Sequence, residues 1–189
     1  MEKKKGRKGF TLIELIVAVG IMLILAAVAT PFLLSHIKNA KVGNINEQIL
    51  NIKGAFDSYY TDKGGLALDE NGDGDILDDM VSNGWISEVQ ERNGMKWSVV
   101  AVTDNGKTAH AIKVEFGDVD FYNDVITKLD ESADGGTGAT DGILRYCSGT
   151  SLSKGGMLYL LRADAGFDKA ALDNLLSEQI CESQEQSQG

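Results

Sequence analysis

The hydrophobic pattern divides the chain into one unbroken apolar run near the N terminus and a longer remainder with helical and strand periods. The run follows a short basic leader, extends from about Phe10 to Leu34 and contains a single charged residue, Glu14. At a rise of ~1.5 Å per residue, about twenty-five helical residues cross the ~30 Å hydrocarbon core of a membrane. The pattern therefore predicts a helix buried in lipid or among other apolar helices.

The helical period continues beyond Pro31. Apolar residues recur there mostly at steps of three and four, which place them on one helix face. These residues are Ile37, Ile45, Ile49, Ile52, Phe56 and Tyr59. Because such a face needs a second surface to pack on, we expect one long helix whose second half lies on a sheet and ends at Gly64 and Gly65.

The period changes to two in the second half of the chain. Residues 96–102 and 109–116 are rich in β-branched residues, and the Asn105–Gly106 pair between them favours a tight turn, which predicts an antiparallel hairpin. Two further strands are expected over 143–147 and 157–162, and short helices over 80–89, 119–129 and 167–180. The predicted fold class is α+β, with a long N-terminal helix packed on an antiparallel sheet of about four strands.

The chain has 189 residues and a formal net charge of −10. Its length beyond the apolar run fits one globular domain. A surface that coats nucleic acid would need a basic footprint, and no run of basic residues follows the leader, so no nucleic-acid site is evident.

The junction of leader and apolar run reads Gly9-Phe10-Thr11-Leu12-Ile13-Glu14. This motif resembles the class III signal of the type IV pilin family, which includes type IV pilins and the pseudopilins of type II secretion. The resemblance implies that a prepilin peptidase cuts between Gly9 and Phe10 and that the new N-terminal amine of Phe10 is methylated. It also places Glu14 and Pro31 where the family has a glutamate and a helix-kinking proline.

The resemblance implies a structural subunit of a type IV pilus that serves adhesion, motility or uptake, with a type II secretion pseudopilin as the alternative. It divides the chain into a leader (1–9), a transmembrane and assembly half of the helix (10–34) and a globular pilin domain (35–189), in a ladle-like fold. Implied partners are further copies of the chain in a helical homopolymer, the prepilin peptidase, an inner-membrane platform protein and an assembly ATPase. The basic leader predicts a cytoplasmic N terminus in a membrane-held precursor, before export into an extracellular filament.

Glu14 is the chemically informative residue of the apolar run. A charged side chain such as Asp within a membrane helix costs ~2.5–3.5 kcal/mol on insertion scales, so Glu14 needs a neutralising partner. The amine of Phe10 on a neighbouring subunit would supply one in a filament. Such a buried pair fixes register, because a misplaced subunit leaves both charges unpaired.

Other interpretations of the apolar run are an ordinary secretory signal, with Ala27-Val28-Ala29 as its cleavage site, and a plain membrane anchor. N-terminal sequencing separates the three, because the mature chain would start at Phe10, at Thr30 or at Met1. A competing function of another class is a membrane-anchored or secreted calcium-dependent binding module.

That competing function comes from an acidic run over residues 69–79. Oxygen-bearing side chains occupy its first, third and fifth positions, and Gly74 at the sixth permits a sharp turn, as in an EF-hand calcium loop. Met80 replaces the closing glutamate of the twelfth position. The candidate Ca²⁺ ligands are Asp69, Asn71, Asp73, Asp75, Asp78 and Asp79. The alternative is a solvated acidic turn.

Cys147 and Cys181 lie in the part expected to be exported. In an oxidising compartment they would pair, which closes a loop worth ~3–4 kcal/mol in the chain-entropy model. The family resemblance implies the same C-terminal disulfide. The alternative is two buried free thiols.

No catalytic constellation is recognisable in the sequence. Ser151–Lys154 has the SxxK spacing of penicillin-interacting enzymes but lacks the companion SDN and KTG motifs. The sequence therefore predicts a protein that is not an enzyme.

Overall fold

The computed structural model describes residues 10–65, 68–89, 94–117, 119–135, 138–140, 142–147 and 155–181. Its elements in chain order are α1 (Leu12–Asp62), α2 (Ile76–Ser82), β1 (Lys96–Asp104), β2 (Lys107–Phe116), α3 (Val119–Asp134), β3 (Leu144–Tyr146), β4 (Gly155–Ala163), α4 (Ala170–Leu175) and a π-helical segment (Leu176–Cys181). The chain divides into two compact units, residues 1–40 and 41–189.

The first unit contains the apolar part of α1. By length and composition this helix could cross a membrane, and none of its apolar window is buried within the chain. The helix continues through Pro31. The Thr30 hydroxyl donates a hydrogen bond to the Ala26 carbonyl oxygen at 2.7 Å, which satisfies a polar group in an apolar stretch.

The second unit contains the amphipathic part of α1, which buries one face. The buried residues are Val42, Ile45, Ile49, Ile52, Phe56 and Tyr59. They share a core with inward-facing strand residues such as Val99, Ile112 and Met157. The stripe predicted from the sequence is thereby confirmed from Ile45 to Tyr59.

The sheet has four strands in the order β1-β2-β4-β3, and all of the neighbouring strands are antiparallel. Asn105 and Gly106 form the two-residue turn of the predicted hairpin, with φ of 49° and 74°. Positive φ at both positions is the requirement of a type I′ turn, whose twist matches that of the strands. The predicted α+β class and the four-stranded antiparallel sheet are confirmed.

The bounds predicted for a helix over 80–89 are wrong, because α2 starts earlier, at Ile76, and ends at Ser82. Asp75 starts this helix: it has extended backbone angles, and its side chain accepts a hydrogen bond from the Leu77 N–H. Gly84, at a φ of 77°, follows the helix end. An aspartate cap therefore fixed the start of a helix that hydrophobic spacing alone placed too late.

A second core lies on the other face of the sheet. It combines small residues of β2 with the C-terminal segment, and its buried members are Ala109, Ala111, Cys147, Leu158, Phe167, Leu172, Leu176 and Ile180. Successive β4 side chains pack into the cores on opposite faces of the sheet, Met157 on the side of α1 and Leu158 on the side of α4. This alternation follows from the pleat of a strand. The sheet is thus a middle layer within this unit.

Gly156 at the start of β4 is required by this packing. A Cβ there would lie 1.8 Å from Ile180 Cγ2 and 3.3 Å from the Val114 carbonyl oxygen. Gly156→Ala should lower the free energy of unfolding by about 1–3 kcal/mol, the usual cost of overpacking. Gly54→Ala is the matched control, because nothing lies within 4 Å of its Cβ position and a helical alanine gains up to ~1 kcal/mol.

Urea unfolding of the full chain in detergent, followed by the fluorescence of Trp97, measures both variants. Equal stability of Gly156→Ala and the parent protein would contradict the close packing of Ile180 on β4.

Candidate functional site

The start of α1 is closed by a reciprocal pair of side chains, Thr11 and Glu14. The Thr11 backbone N–H and hydroxyl donate to Glu14 Oε2 at 2.8 Å and 2.7 Å. In return, the Glu14 N–H donates to Thr11 Oγ1 at 3.4 Å. This is the capping box that a threonine and a glutamate form three residues apart.

The capping box satisfies donors that every helix start leaves open. In a hydrocarbon environment this matters more than in water, since an unsatisfied backbone group there costs several kcal/mol. The carboxylate of Glu14 also lies at the positive end of the helix dipole, which favours an anion. Glu14 therefore has a partner within its own chain.

The sequence analysis did not assign a role to Thr11. The Thr-x-x-Glu spacing at the start of an apolar run was the signal for it. Phe10 precedes the helix and is 91% exposed. Gly9 lies outside the described residues, so cleavage and methylation at Phe10 stay predictions, whereas Pro31 lies within α1.

The acidic run 69–79 folds into a loop held by its own side chains. Asp69 accepts hydrogen bonds from Gly72 N–H at 2.7 Å and Gly74 N–H at 3.0 Å. Asn71 Oδ1 accepts from the N–H of Asp73 at 2.9 Å, and Asp73 Oδ1 accepts from the N–H of the next acidic residue, Asp75, at 2.8 Å. These carboxylate and amide oxygens stabilise sharp backbone turns.

Two of the predicted calcium ligands accept further backbone hydrogen bonds, and one of the two reaches a neighbouring strand. Asp75 Oδ1 accepts from the N–H groups of Leu77 and Val99, each at 2.9 Å. Its half-buried position raises the pKa of the Asp75 carboxyl. Asp79 is buried, and its Oδ2 accepts from the Glu70 N–H at 2.7 Å. Asp75 thereby joins the loop to β1, an edge strand of the sheet.

Asp78 is exposed on α2, as are Asn71 and Asp73 in the loop. Across the residues that the structure describes, no group of three or more His, Cys, Asp or Glu side chains is placed to hold a metal ion. Calcium binding by the acidic loop stays a prediction.

Cys147 follows β3 and is 6% exposed. None of the described cysteines is free. The side chain of Cys181 lies outside the described part of the structure, so its pairing with Cys147 stays a prediction. Ser151–Lys154, the stretch with SxxK spacing, also lies outside the described residues.

Comparison with known proteins gives matches that cover part of the chain. Residues 4–30 match the prokaryotic N-terminal methylation motif. The chain is 39% identical over 61 residues to the fimbrial protein EcpC of Eikenella corrodens, across 32% of this chain and 40% of that relative. No solved structure matches the chain significantly. The pilin-type N-terminal region recognised from the sequence is thereby confirmed.

The Asp75 contacts predict a large effect on stability. Asp75→Ala removes the cap of α2 and leaves the buried Val99 N–H without its acceptor, so the free energy of unfolding should fall by about 2–3 kcal/mol. Asp73→Ala, at an exposed position of the same loop, should cost less than about 1 kcal/mol. Thermal unfolding at neutral pH measures both, and equal losses would show that Asp75 does not support β1.

Proposed function

We propose that this chain is the structural subunit of a type IV pilus filament, cut between Gly9 and Phe10 by a prepilin peptidase and polymerised through α1. The observation that carries the proposal is an apolar helix, with no part of its apolar window buried in the chain, whose start has a capped Glu14. The methylation motif over residues 4–30 supports it, and so does the similarity to a fimbrial protein. Both comparisons support a structural role.

The exposed apolar surface requires an environment that excludes water. Large side chains such as Ile13, Leu23 and Phe32 are each more than 60% exposed, and burying one such side chain is worth about 1.5–3 kcal/mol. Lipid would cover them in the precursor, with the basic leader on the cytoplasmic side. Helices of neighbouring subunits would cover them in the filament.

Glu14 would gain a second partner on assembly. In the single chain its carboxylate is held at the helix start by Thr11. The methylated amine of Phe10 on a neighbouring subunit would bring the opposite charge into the same apolar core. Because a mismatched subunit would leave two charges buried and unpaired, the pair would select one register of assembly.

A pseudopilin of a type II secretion system would use the same N-terminal chemistry, and the fimbrial relative favours the pilus. The proposed assembly machinery comprises an inner-membrane platform protein and an ATPase. Two further proposals concern the globular part, namely a disulfide between Cys147 and Cys181 and Ca²⁺ at residues 69–79. A calcium-dependent binding module, the alternative of another class, would keep its activity without Glu14.

Substitutions of Glu14 separate capping from charge pairing. Glu14→Gln keeps an acceptor for the capping box, since glutamine also serves at this position, but it removes the charge. Glu14→Val removes both. We expect both variants to be processed and membrane-held yet to yield few filaments, because a broken buried pair costs ~3–5 kcal/mol per interface.

Immunoblots of cells and of sheared filaments, with electron microscopy of the sheared fraction, measure processing and assembly separately. Gly9→Val is the control for processing and should leave the longer precursor. Normal filaments from Glu14→Gln together with failure of Glu14→Val would assign Glu14 to helix capping alone. Normal filaments from both variants would refute any assembly role for the carboxylate.

A further inference from the structure

Two carboxyl groups in the last turn of α3 hold the loop that leads into β3. Asp130 and Asp134 are four residues apart and therefore lie on the same helix face. Asp130 Oδ2 accepts a hydrogen bond from the Gly138 N–H at 3.1 Å. Asp134 Oδ2 accepts from the N–H groups of Ile143 and Leu144 at 2.8 Å and 3.2 Å.

Asp130 is 4% exposed. Its second oxygen, Oδ1, is buried and has no hydrogen-bond partner among the described residues. Buried carboxylate oxygens are normally satisfied by donors or by a cation, so an unsatisfied one indicates a missing partner. The acidic loop at residues 69–79 contains no such buried, unsatisfied oxygen among its described side chains.

The charges around Asp130 make a cationic partner favourable. The C-terminal turn of a helix is the negative end of its dipole, and this turn of α3 contains no basic residue. Burial and the neighbouring carboxyl group of Asp134 raise the pKa of Asp130, and among the residues that the structure describes no cationic side chain contributes to that shift. Arg145, a buried cation on β3, pairs with Asp173 and binds the Thr140 carbonyl oxygen.

We propose that Asp130 and Asp134 form a binding site for Ca²⁺, with Asp130 Oδ1 as a direct ligand. Because the described residues supply two carboxyl groups there, backbone carbonyl oxygens and water would complete the coordination, as is usual for this ion. Mg²⁺ is less suitable, since it demands a near-ideal octahedron. The site is separate from the loop at 69–79 and goes beyond the filament function proposed above.

Calcium at this position would connect the end of α3 to β3, an edge strand of the sheet. The proposed filament would place this unit outside the cell, and extracellular calcium modules bind with Kd values of about 10⁻⁴–10⁻³ M. The ion would therefore bind after export and stabilise the globular unit in the filament.

The test is calcium-dependent thermal unfolding of the full chain in detergent, after removal of metal with a chelator. About 10 mM CaCl₂ should raise the Tm of the parent protein by roughly 3–6 °C. Asp130→Asn should abolish this shift. Glu131→Gln, an exposed position in the same turn with the same change of charge, should retain it.

Asp73→Asn tests the acidic loop in the same assay. Loss of the shift in Asp73→Asn but not in Asp130→Asn would place the ion in that loop and overturn the proposal. The proposal is also overturned if calcium has no effect on the parent protein while the stability of that protein rises as the pH falls. A proton would then neutralise Asp130, because the pKa of this carboxyl group is raised in the folded state.

A second measurement does not depend on the folding of Asp130→Asn. Tb³⁺ substitutes for Ca²⁺ and emits when a nearby aromatic ring is excited. Burial raises the pKa of Tyr146, and so do the charges of the nearby Asp130 and Asp134. Because Tyr146 lies near both carboxyl groups, Tyr146→Phe should reduce Tb³⁺ emission at least twofold. Unchanged emission in Tyr146→Phe would overturn the proposal.

Discussion

The exposed apolar surface of α1 imposes the constraint that governs the rest of the molecule. Twenty or more residues after Phe10 carry side chains that water does not favour, and the chain itself buries none of the apolar window. A helix is the form in which such a segment satisfies its backbone hydrogen bonds without water. Coverage of its surface by lipid or by equivalent helices is the basis of the filament proposed above.

The helix start shows how a charged residue is accommodated under that constraint. Thr11 supplies two donors to the Glu14 carboxylate, and the Thr11 hydroxyl oxygen in turn accepts from the Glu14 N–H, a backbone donor of the helix. In the proposed filament, the carboxylate would therefore be held in place before a second subunit arrives. Preorganisation of this kind would lower the cost of forming a pair with an incoming amine.

The globular unit begins where the same helix changes from apolar on all sides to apolar on one face. Beyond Lys41, α1 has an apolar stripe, and the stripe buries itself against the α1-facing side of the sheet. The opposite side of the sheet is covered by the C-terminal segment, which comes close enough to β4 to need Gly156. Acidic side chains hold the connections, Asp75 at β1 and Asp134 ahead of β3.

Periodicity and turn chemistry predicted the features that depend on neighbours in the sequence. The stripe of α1 and the Asn105–Gly106 turn are of this kind, because spacing alone determines a helix face and a turn type. The roles of Asp75 and Asp130 could not be predicted in this way. The backbone N–H groups that donate to these carboxylates, and the residues that bury them, are distant in sequence, as Val99 is, or belong to a loop whose path the sequence does not specify.

The most direct test of the account is the N-terminal sequence of the protein in sheared surface filaments. The filament account predicts that the dominant subunit begins at a methylated Phe10, with residues 1–9 removed. A chain that begins at Thr30 and is absent from filaments would contradict it, and so would a membrane-held chain that retains Met1 while filaments form without it.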